Sequence, residues 1–384
     1  MALSDYVHTF GQYLLKRHGE RVHKIALDAG FTCPNRDGSK GIGGCTFCNN
    51  NSFSPNAQKQ RELEEQLDSG RRAITRRTRA KKYLAYFQAY TNTYADVAEL
   101  DALYRQAMMQ QDIVGLCVGT RPDCVSGKVL DLLAGYLDEG RIVWLELGLQ
   151  SAFDETLRRV NRGHGLEEYR TVAVEARRRG IPLCTHLILG LPGEDESHYR
   201  ASLDTVLDIG VDGLKLHALH VVKQTVLANQ WRRGEYQPLE REAYIRHACD
   251  LIERTPQHIV FHRVTGTASQ DILLAPEWCS QKWNILNGIE FELKRRGHRQ
   301  GCLAGIPWVN GHDRDVASDN EACHARFPHP NPDETTSQST KSSENDDQVA
   351  GYLPQAGRAQ RGGRSRANES LCELHTNEEM RDAV

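Results

Sequence analysis

The sequence contains no apolar segment long enough to cross a membrane. None of its windows approaches the roughly 18 consecutive apolar residues that a spanning helix needs, so no transmembrane helix is predicted. The opening segment, MALSDYVHTFGQYLLKRHGE, has neither the long apolar stretch nor the small-residue cleavage site of a secretory signal. We therefore expect a cytoplasmic protein with no membrane partner.

The chain also has little net charge and a modest hydrophobic content. Its 48 basic and 51 acidic side chains give a formal charge of −3, which argues against a uniformly basic nucleic-acid-binding protein. Hydrophobic residues make up 39% of the chain, which is somewhat low for a globular protein. This value predicts that a polar segment dilutes an otherwise ordinary core.

Short apolar runs alternate with helical patterns from about residue 24. The apolar runs predict buried parallel strands at 24–30, 83–90, 113–120, 142–150, 182–190 and 213–219. The helical patterns lie at 58–82, 96–110, 127–139, 166–179 and 195–209, followed by a helix at 238–254, a strand at 258–263 and a helix near 281–297. Six strand–helix units are fewer than the eight of a closed barrel, so we predict an α/β fold with a partial, open parallel (β/α)6 barrel and a C-terminal extension. An open doubly wound sheet is the alternative.

The hydrophobic pattern collapses after about Pro307. The segments NPDETTSQSTKSSENDDQ and QAGRAQRGGRSRANES are polar and almost free of large apolar side chains, so they cannot bury enough surface to offset the entropy of ordering. We predict one folded core over 1–305 and a disordered tail over 306–384.

Three of the 11 cysteines lie close together in GFTCPNRDGSKGIGGCTFCNN. Without an export signal, these side chains are expected to be thiols or metal ligands rather than disulfides. Cys33 precedes Cys45 by eleven intervening residues, and Cys48 follows after two more, across a glycine-rich loop after the first predicted strand. Three thiolates can hold a [4Fe–4S] cluster and leave one iron open for chemistry. A zinc site completed by a histidine, or incidental clustering, are the alternatives.

These cysteines and several later motifs resemble the radical S-adenosylmethionine (SAM) superfamily. Its members carry an aromatic residue before the last cysteine, and here that residue is Phe47. The wide spacing is similar to that of the elongator-type tRNA uridine enzymes, and GFTCPNRDG…GGCTFCNN closely resembles the bacterial YhcC/YtqA family. The motifs GTRPD (119–123), LELGLQS (145–151) and HLILGLPGE (186–194) agree with this. The resemblance covers about 5–305 and implies a [4Fe–4S] cluster on the three cysteines, with SAM on its open iron.

The resemblance also implies which residues hold SAM. Gln150 and Arg162 resemble a Gln–Arg pair that holds SAM in the oxygen-independent coproporphyrinogen oxidase. Gly190, in the Gly-Leu-Pro-Gly loop, would let the backbone approach the adenosyl group closely.

Some positions depart from the superfamily pattern. Its Gly-Gly-Glu after the second strand is replaced here by Gln88, Ala89 and Tyr90, whose backbone we expect to hold the methionyl amino group. Gly119 and His186 stand where the relatives tend to carry acidic residues, which weakens any transfer of ribose or adenine contacts to those two positions.

The chemistry that the resemblance implies begins with an electron donor, flavodoxin- or ferredoxin-like. The reduced cluster cleaves SAM to methionine and a 5′-deoxyadenosyl radical, which abstracts a hydrogen atom from the substrate. The string LHALHVVKQT places His217 on the sixth predicted strand and His220 just beyond it. We predict them as catalytic residues, since a histidine there is a candidate proton donor near neutral pH. A loop histidine with only a hydrogen-bonding role is the alternative.

Only two features of the sequence indicate a class of substrate: one run of cations and the resemblance to the elongator-type enzymes. The predicted helix 58–82 carries Arg71, Arg72, Arg76, Arg77, Arg79, Lys81 and Lys82. Such clusters bind phosphates, although a solvated helix face explains them equally well. With the elongator-type likeness, the run favours the tRNA wobble-uridine side chain as substrate. The alternatives are oxygen-independent oxidation of a small metabolite or tetrapyrrole, and a non-catalytic iron–sulfur or zinc RNA-binding module.

Overall fold

A computed structural model describes residues 2–49 and 62–308. Seven parallel strands form one sheet with the order β1-β2-β3-β4-β5-β6-β8. They are β1 (Val22–Leu27), β2 (Lys82–Phe87), β3 (Ile113–Thr120), β4 (Ile142–Gln150), β5 (Leu183–Leu189), β6 (Gly213–Ala218) and β8 (Val260–Arg263). A small antiparallel pair joins β7 (Val221–Val222) to β9 (Leu273–Ala275).

Ten α-helices flank these strands in the described part of the chain. They are α1 (Phe10–His18), α2 (Leu63–Thr78), α3 (Val97–Met108), α4 (Gly127–Asp138), α5 (Asp154–Arg159), α6 (Leu166–Arg178), α7 (Glu196–Ile209), α8 (Val226–Arg232), α9 (Arg241–Arg254) and α10 (Lys282–Arg296). The alternation of strand and helix from β1 to α7 confirms the predicted α/β repeat, and β8 is the predicted strand at 258–263.

The strands form because their apolar runs are buried on both faces, as in parallel sheets covered by helices. In β3 every residue from Gly115 to Thr120 is buried, and in β4 every residue from Val143 to Leu149 is buried. Burial of both faces explains why these strands read as continuous apolar segments rather than as alternating ones.

The sheet is curled into a half-barrel, as predicted. The ammonium group of Lys24 on β1, the first strand of the sheet, lies 2.5 Å from the carboxylate of Glu146 on the central strand β4. Nδ1 of His262, on the last strand β8, lies 3.2 Å from the same carboxylate. Contacts between the first, middle and last strands require the sheet to close around its own interior, which confirms a partial parallel barrel over the doubly wound alternative.

Strands β1 and β2 and helix α2 each end three or more residues before the predicted position. Strand β1 ends at Leu27 rather than at 30, and β2 ends at Phe87 rather than at 90. The helix predicted at 58–82 spans Leu63–Thr78, and its first predicted residues lie outside the described part of the chain. It ends because Arg79 adopts a left-handed conformation with φ of 56°, which closes a helix at this position.

The run of cations predicted to bind the substrate does not lie at the edge of the sheet where the active-site loops of a parallel barrel are found. Val22 and Lys82 pair at the beginning of parallel strands β1 and β2, so the residues just before Lys82 lie at the amino edge of the sheet. Arg71 is neutralised there by Asp112, with its Nε 2.6 Å from that carboxylate. The run therefore lies at the edge opposite to the one where a parallel barrel places its active-site loops.

The folded region extends slightly past the predicted end of the core at 305. Ile306 packs against the buried residues Cys302 and Leu303. The indole Nε1 of Trp308 donates a hydrogen bond to Asp204 at 2.7 Å. Ile306 and Trp308 thus pack against the folded region, and the rest of the predicted tail, 309–384, lies outside the described residues. Within the described residues, no helix is both long and apolar enough to cross a bilayer.

Candidate functional site

A cavity of about 220 Å³ opens at the carboxyl edge of the sheet. Most of the residues singled out from the sequence line it: Cys33, Cys45, Phe47, Cys48, Gln88, Tyr90, Gln150, Arg162, His217 and His220. Their positions follow from the topology, because parallel strands bring their carboxyl ends and the loops after them to one edge.

The cysteine loop is held in place by backbone hydrogen bonds to the rest of the barrel. The N–H of Thr46 donates to the carbonyl of Val160 at 2.9 Å, and the carbonyl of Thr46 accepts from the N–H of Leu227 at 2.8 Å. The loop folds back on itself where the N–H of Gly44 reaches the carbonyl of Asn35 at 2.8 Å. Gly44 has a φ of 80°, which favours glycine at this turn.

The three cysteine side chains are free thiols that line one cavity without forming a compact single-metal site. A tetrahedral zinc ion holds thiolates at about 2.3 Å from the metal, so that their sulfur atoms lie only about 4 Å apart. Some groups of three described residues have ligand atoms that all lie within 4.8 Å of one another, but Cys33, Cys45 and Cys48 do not form such a group. Wider separation suits an iron–sulfur cluster, in which each thiolate binds a different iron.

The environment of the thiols favours a cationic partner. Burial, together with the neighbouring Cys45, raises the pKa of Cys48 to about 11. A metal cluster supplies the positive charge that lets such thiols ionise together, because metal ligands bind as thiolates. The nearby Arg36 donates from Nη2 to the carbonyl of Cys48 at 2.5 Å.

Arg162 connects the cysteine loop to the end of strand β4. Its Nη2 donates to the carbonyl of Gly148 at 2.6 Å, and its Nη1 lies 3.6 Å from Sγ of Cys45. The side chain is only 9% exposed, and Arg121 holds its backbone carbonyl at 2.7 Å. Gln150 closes the same strand with a φ of 81°, so the predicted pair lies together on one wall of the cavity.

The other predicted SAM-binding residues are only partly gathered at the cavity. Phe47, Gln88 and Tyr90 line it, whereas Ala89 is fully buried and is not part of the wall. Gly190 is also absent from the wall.

Neighbouring side chains occupy the backbone groups of Gly190 and separate it from the cavity wall. Its N–H donates a hydrogen bond to the hydroxyl of Tyr199 at 3.1 Å, and its carbonyl accepts one from the hydroxyl of Tyr236 at 2.9 Å. An added Cβ at Gly190 would meet Leu239 at 3.2 Å rather than open space. The glycine therefore packs the turn against the core, and its role beside the adenosyl group stays a prediction.

Both predicted histidines lie in the cavity wall, but with altered protonation. Burial lowers the pKa of His220 to about 4. Burial, reinforced by His186 and Arg263, lowers the pKa of His217 well below its usual value. Both rings are therefore neutral and only weakly basic at pH 7. They can take part in hydrogen bonds there, but they do not carry the extra proton that the predicted role as proton donors requires.

Sequence analysis missed a buried ionic network on the floor of the cavity. Glu146 is completely buried and its carboxylate meets the ammonium groups of Lys24 and Lys215. His186 donates from Nε2 to Glu146 at 3.0 Å, and Lys215 also donates to the hydroxyl of Tyr86 at 2.7 Å. Although burial opposes ionisation, Lys215 and Lys24 lower the pKa of Glu146 well below its usual range.

Comparison with known proteins assigns the family. The model of the radical SAM superfamily matches residues 33–206, and that of the radical SAM C-terminal domain matches residues 211–295. Protein YhcC of Escherichia coli (strain K12) is 48% identical over 309 residues, which cover 80% of this chain and 99% of YhcC. The chain belongs to the radical SAM superfamily. The resemblance stated from the sequence is thereby confirmed, and membership favours a radical SAM enzyme over a non-catalytic binding module.

More distant proteins also match part of the chain. A tRNA uridine(34) acetyltransferase of Dehalococcoides mccartyi (strain CBDB1) is 30% identical over 197 residues, which cover 50% of this chain and 41% of that protein. The structure of the archaeal Methanocaldococcus infernus Elp3 superposes with a TM-score of 0.53 at 19% identity, over 73% of this chain and 65% of that one. The second match shows that the half-barrel fold is shared.

Proposed function

We propose that this radical SAM enzyme binds a [4Fe–4S] cluster through Cys33, Cys45 and Cys48 and acts on the wobble uridine of tRNA. The observation that carries the proposal is the convergence of these thiols with Gln150 and Arg162 on one cavity at the carboxyl edge of the sheet. When bound, the reduced cluster and SAM together supply a 5′-deoxyadenosyl radical for hydrogen abstraction.

The chain's own residues would bind and orient the cofactors. Arg162 bridges the cysteine loop and the end of β4, so it couples the position of one cluster ligand to the wall where SAM would lie. Gln150 offers an amide on the same wall, and Gln88 with Tyr90 offers polar groups after β2. Phe47 contributes an apolar face beside the last cysteine and excludes water from the reacting atoms.

The catalytic role of His217 and His220 is proposed in a modified form. Because burial lowers the pKa of both rings, they are neutral and only weakly basic at pH 7, so we assign them the orientation of the substrate through hydrogen bonds rather than the transfer of a proton. The low-potential electron would come from a flavodoxin- or ferredoxin-like donor, because reduction of such a cluster needs an external one-electron source.

The substrate proposal is supported by the relative that is named for uridine 34 of tRNA and that matches half of this chain. It also agrees with the cavity, whose wall carries the aromatic side chains of Phe47, Tyr86 and Tyr90. Enzymes that act on a nucleobase take it out of the stack and hold it between aromatic and apolar side chains.

A tRNA titration at several salt concentrations tests this proposal at the protein level. Lys223 and Arg232 are exposed cations beside the cysteine loop, which contacts their segments through Asn49 and Thr46. Replacing both by Gln should weaken binding and reduce the salt slope by about one to two, because each lost phosphate contact removes roughly 0.9 from that slope.

The matched control lies at the opposite edge of the barrel. Arg72 and Arg76 are exposed residues of α2, and replacing both by Gln removes the same charge without changing the cavity mouth. We expect unchanged tRNA affinity. Equal losses in the two double variants would mean that binding depends on net charge alone and would contradict a tRNA site at the cavity.

The decisive test in cells is nucleoside mass spectrometry of tRNA with and without the gene. Loss of a modified wobble uridine in the deletion strain, restored by the wild-type chain but not by Cys45→Ala, is the expected result. Identical nucleoside profiles would reject the tRNA proposal and favour oxidation of a small metabolite or tetrapyrrole.

A further inference from the structure

The floor of the cavity carries more positive than negative charge. Lys24 and Lys215 share the single carboxylate of Glu146, and His186 and His262 are kept neutral, since burial and the nearby lysines lower the pKa of each well below 6.5. A buried positive charge without an equivalent negative partner is costly in a low-dielectric site. The network therefore leaves one unbalanced positive charge inside the barrel.

The surplus charge faces the cavity through Lys215. Its side chain is only 4% exposed yet lines the cavity, whereas Lys24 does not. An ammonium group has three donors. Two of those on Lys215 reach Glu146 and the hydroxyl of Tyr86, which leaves one donor for a ligand.

A second cation lies beside Lys215 in the same wall. Arg263 is paired with Lys215 in the register of β6 and β8, is exposed, and lines the cavity. No carboxylate of the described residues pairs with Arg263, and no Asp or Glu is among the described residues that line the cavity. His217, whose pKa is lowered by burial and by both cations among others, adds a neutral ring at the same wall.

This cationic floor is separate from the cations that serve the cysteine loop. Arg162 and Arg36 are already engaged with Cys45 and Cys48 and with backbone carbonyls. Lys215 and Arg263 have no such contact with the loop. They belong to β6 and β8, whereas the cysteine loop follows β1.

We propose that Lys215 and Arg263 form a subsite for an anionic oxygen group of the substrate, a carboxylate or a phosphate. The proposal rests on the proposed function in taking this cavity as the substrate site. Arginine and lysine are the side chains that bind such oxyanions, and the bound anion would neutralise the surplus charge of the floor. A group bound there orients the substrate for hydrogen abstraction without taking part in it.

The experiment compares matched nucleosides on the anaerobically reconstituted full chain in the presence of SAM. Equilibrium dialysis measures affinity for 5-carboxymethyluridine against its neutral analogue 5-carbamoylmethyluridine, and for uridine 5′-monophosphate against uridine. At least one anionic probe should bind about tenfold more tightly than its neutral counterpart, because a charge-assisted hydrogen bond is worth roughly that factor. The preferred pair identifies the source of the anion as a base substituent or a phosphate.

Variants assign the preference to the two cations. Arg263→Gln and Lys215→Met should each abolish it, and Arg263 is exposed, so its replacement leaves the buried network intact. Arg233→Gln, an exposed cation paired with Glu235, is the matched control and should keep the preference. Equal binding of charged and neutral probes by the wild type, or a preference that survives in Arg263→Gln, would overturn the subsite.

Two further outcomes separate this proposal from others. If Arg263→Gln weakens SAM binding as much as it weakens the anionic probe, the cations serve SAM and the substrate subsite is overturned. If no nucleoside binds at all, the uridine proposal fails independently. Line broadening of inorganic phosphate and 13C-labelled acetate by NMR then decides the subsite, which stands only if broadening occurs and disappears in Arg263→Gln.

Discussion

Nη1 of Arg162 lies 3.6 Å from Sγ of Cys45, although the two residues are 117 positions apart in the sequence. The same guanidinium donates to the carbonyl of Gly148 at the end of β4. A single buried cation thus joins the cysteine loop to the strand that carries Gln150. If the three cysteines hold the proposed cluster, we expect its properties to depend on Arg162, which is not one of the proposed ligands.

Replacing Arg162 by Gln should lower the reduction potential of the reconstituted cluster. Loss of a positive charge and of a hydrogen bond to a ligating sulfur makes the reduced state less favourable. We expect a shift on the order of 60 mV, equivalent to about 1.4 kcal/mol for one electron. A redox titration followed by electron paramagnetic resonance measures it. SAM affinity should also fall, with the iron content unchanged.

The control for this variant is Arg159→Gln. Arg159 lies on the neighbouring helix α5 and pairs with Glu155 on the surface, away from the sulfur atoms. An equal shift of the potential in both variants would show that Arg162 acts through general charge rather than through its position beside Cys45.

Replacing Glu146 by Gln should destabilise the fold by about 3 kcal/mol or more, because the ammonium groups of Lys24 and Lys215 would lose the one carboxylate that pairs with them among the described residues. Urea denaturation of the protein measures the change. Glu235→Gln, which removes an exposed partner of Arg233, should cost less than about 1 kcal/mol. Similar losses in both variants would contradict the structural role of the floor network.

Stability should fall as the pH decreases from about 6.5 to 4. Burial lowers the pKa of His23 to about 4 from its ordinary value of 6.5, so the unfolded chain binds a proton in this range that the native chain does not. For each such proton, the free energy of unfolding falls by about 1.4 kcal/mol for every pH unit of acidification within this range. His186 and His220 act in the same direction.

The variant His23→Gln isolates one of these contributions. His23 lies outside the cavity and is only 2% exposed. In this variant, the slope of the unfolding free energy against pH should be smaller than in the wild type by up to about 1.4 kcal/mol per pH unit, the contribution of one proton. An unchanged slope would mean that His23 charges as readily in the folded state as in the unfolded state.

A chain that ends at Trp308 should be as stable as the full chain, and one that ends at Gly305 should be less stable by about 1–2 kcal/mol. The difference reflects the indole of Trp308, which lies 4.2 Å from the guanidinium of Arg254 and 4.7 Å from that of Arg200 and also bonds to Asp204. Thermal unfolding of the three chains measures it. A large loss on ending at Trp308 would show that 309–384 contribute to the core.

The barrel was predictable because its strands are buried on both faces. Runs such as Ile113–Thr120 and Ile142–Gln150 are apolar almost throughout, so their bounds in the structure equal the predicted ones. The end of α2 was not predictable in this way. Arg79 adopts a left-handed conformation that its side chain does not favour, and the cations around it continue the helical pattern past the true end.

The cysteine loop could be predicted because its three cysteines are close in sequence. The buried ionic network around Glu146 could not be predicted in this way. Glu146 stands alone within an apolar run, and its partners Lys24, Lys215 and His262 come from three distant strands that only the closed fold brings together. The surroundings of Gly190 could not be predicted for the same reason. The tyrosine hydroxyls that occupy its backbone groups come from positions that the motif does not contain.

The central claim is that Cys33, Cys45 and Cys48 together hold one [4Fe–4S] cluster that cleaves SAM. Anaerobic reconstitution followed by iron analysis and by chromatography of 5′-deoxyadenosine tests it most directly. The wild type should contain about four irons per chain and release 5′-deoxyadenosine on reduction. Each single replacement of these cysteines by Ala should abolish that release, whereas Cys124→Ala, a partly buried thiol outside the cavity wall, should retain it. Release of 5′-deoxyadenosine at the wild-type rate by the variant that lacks all three cysteines would contradict the account.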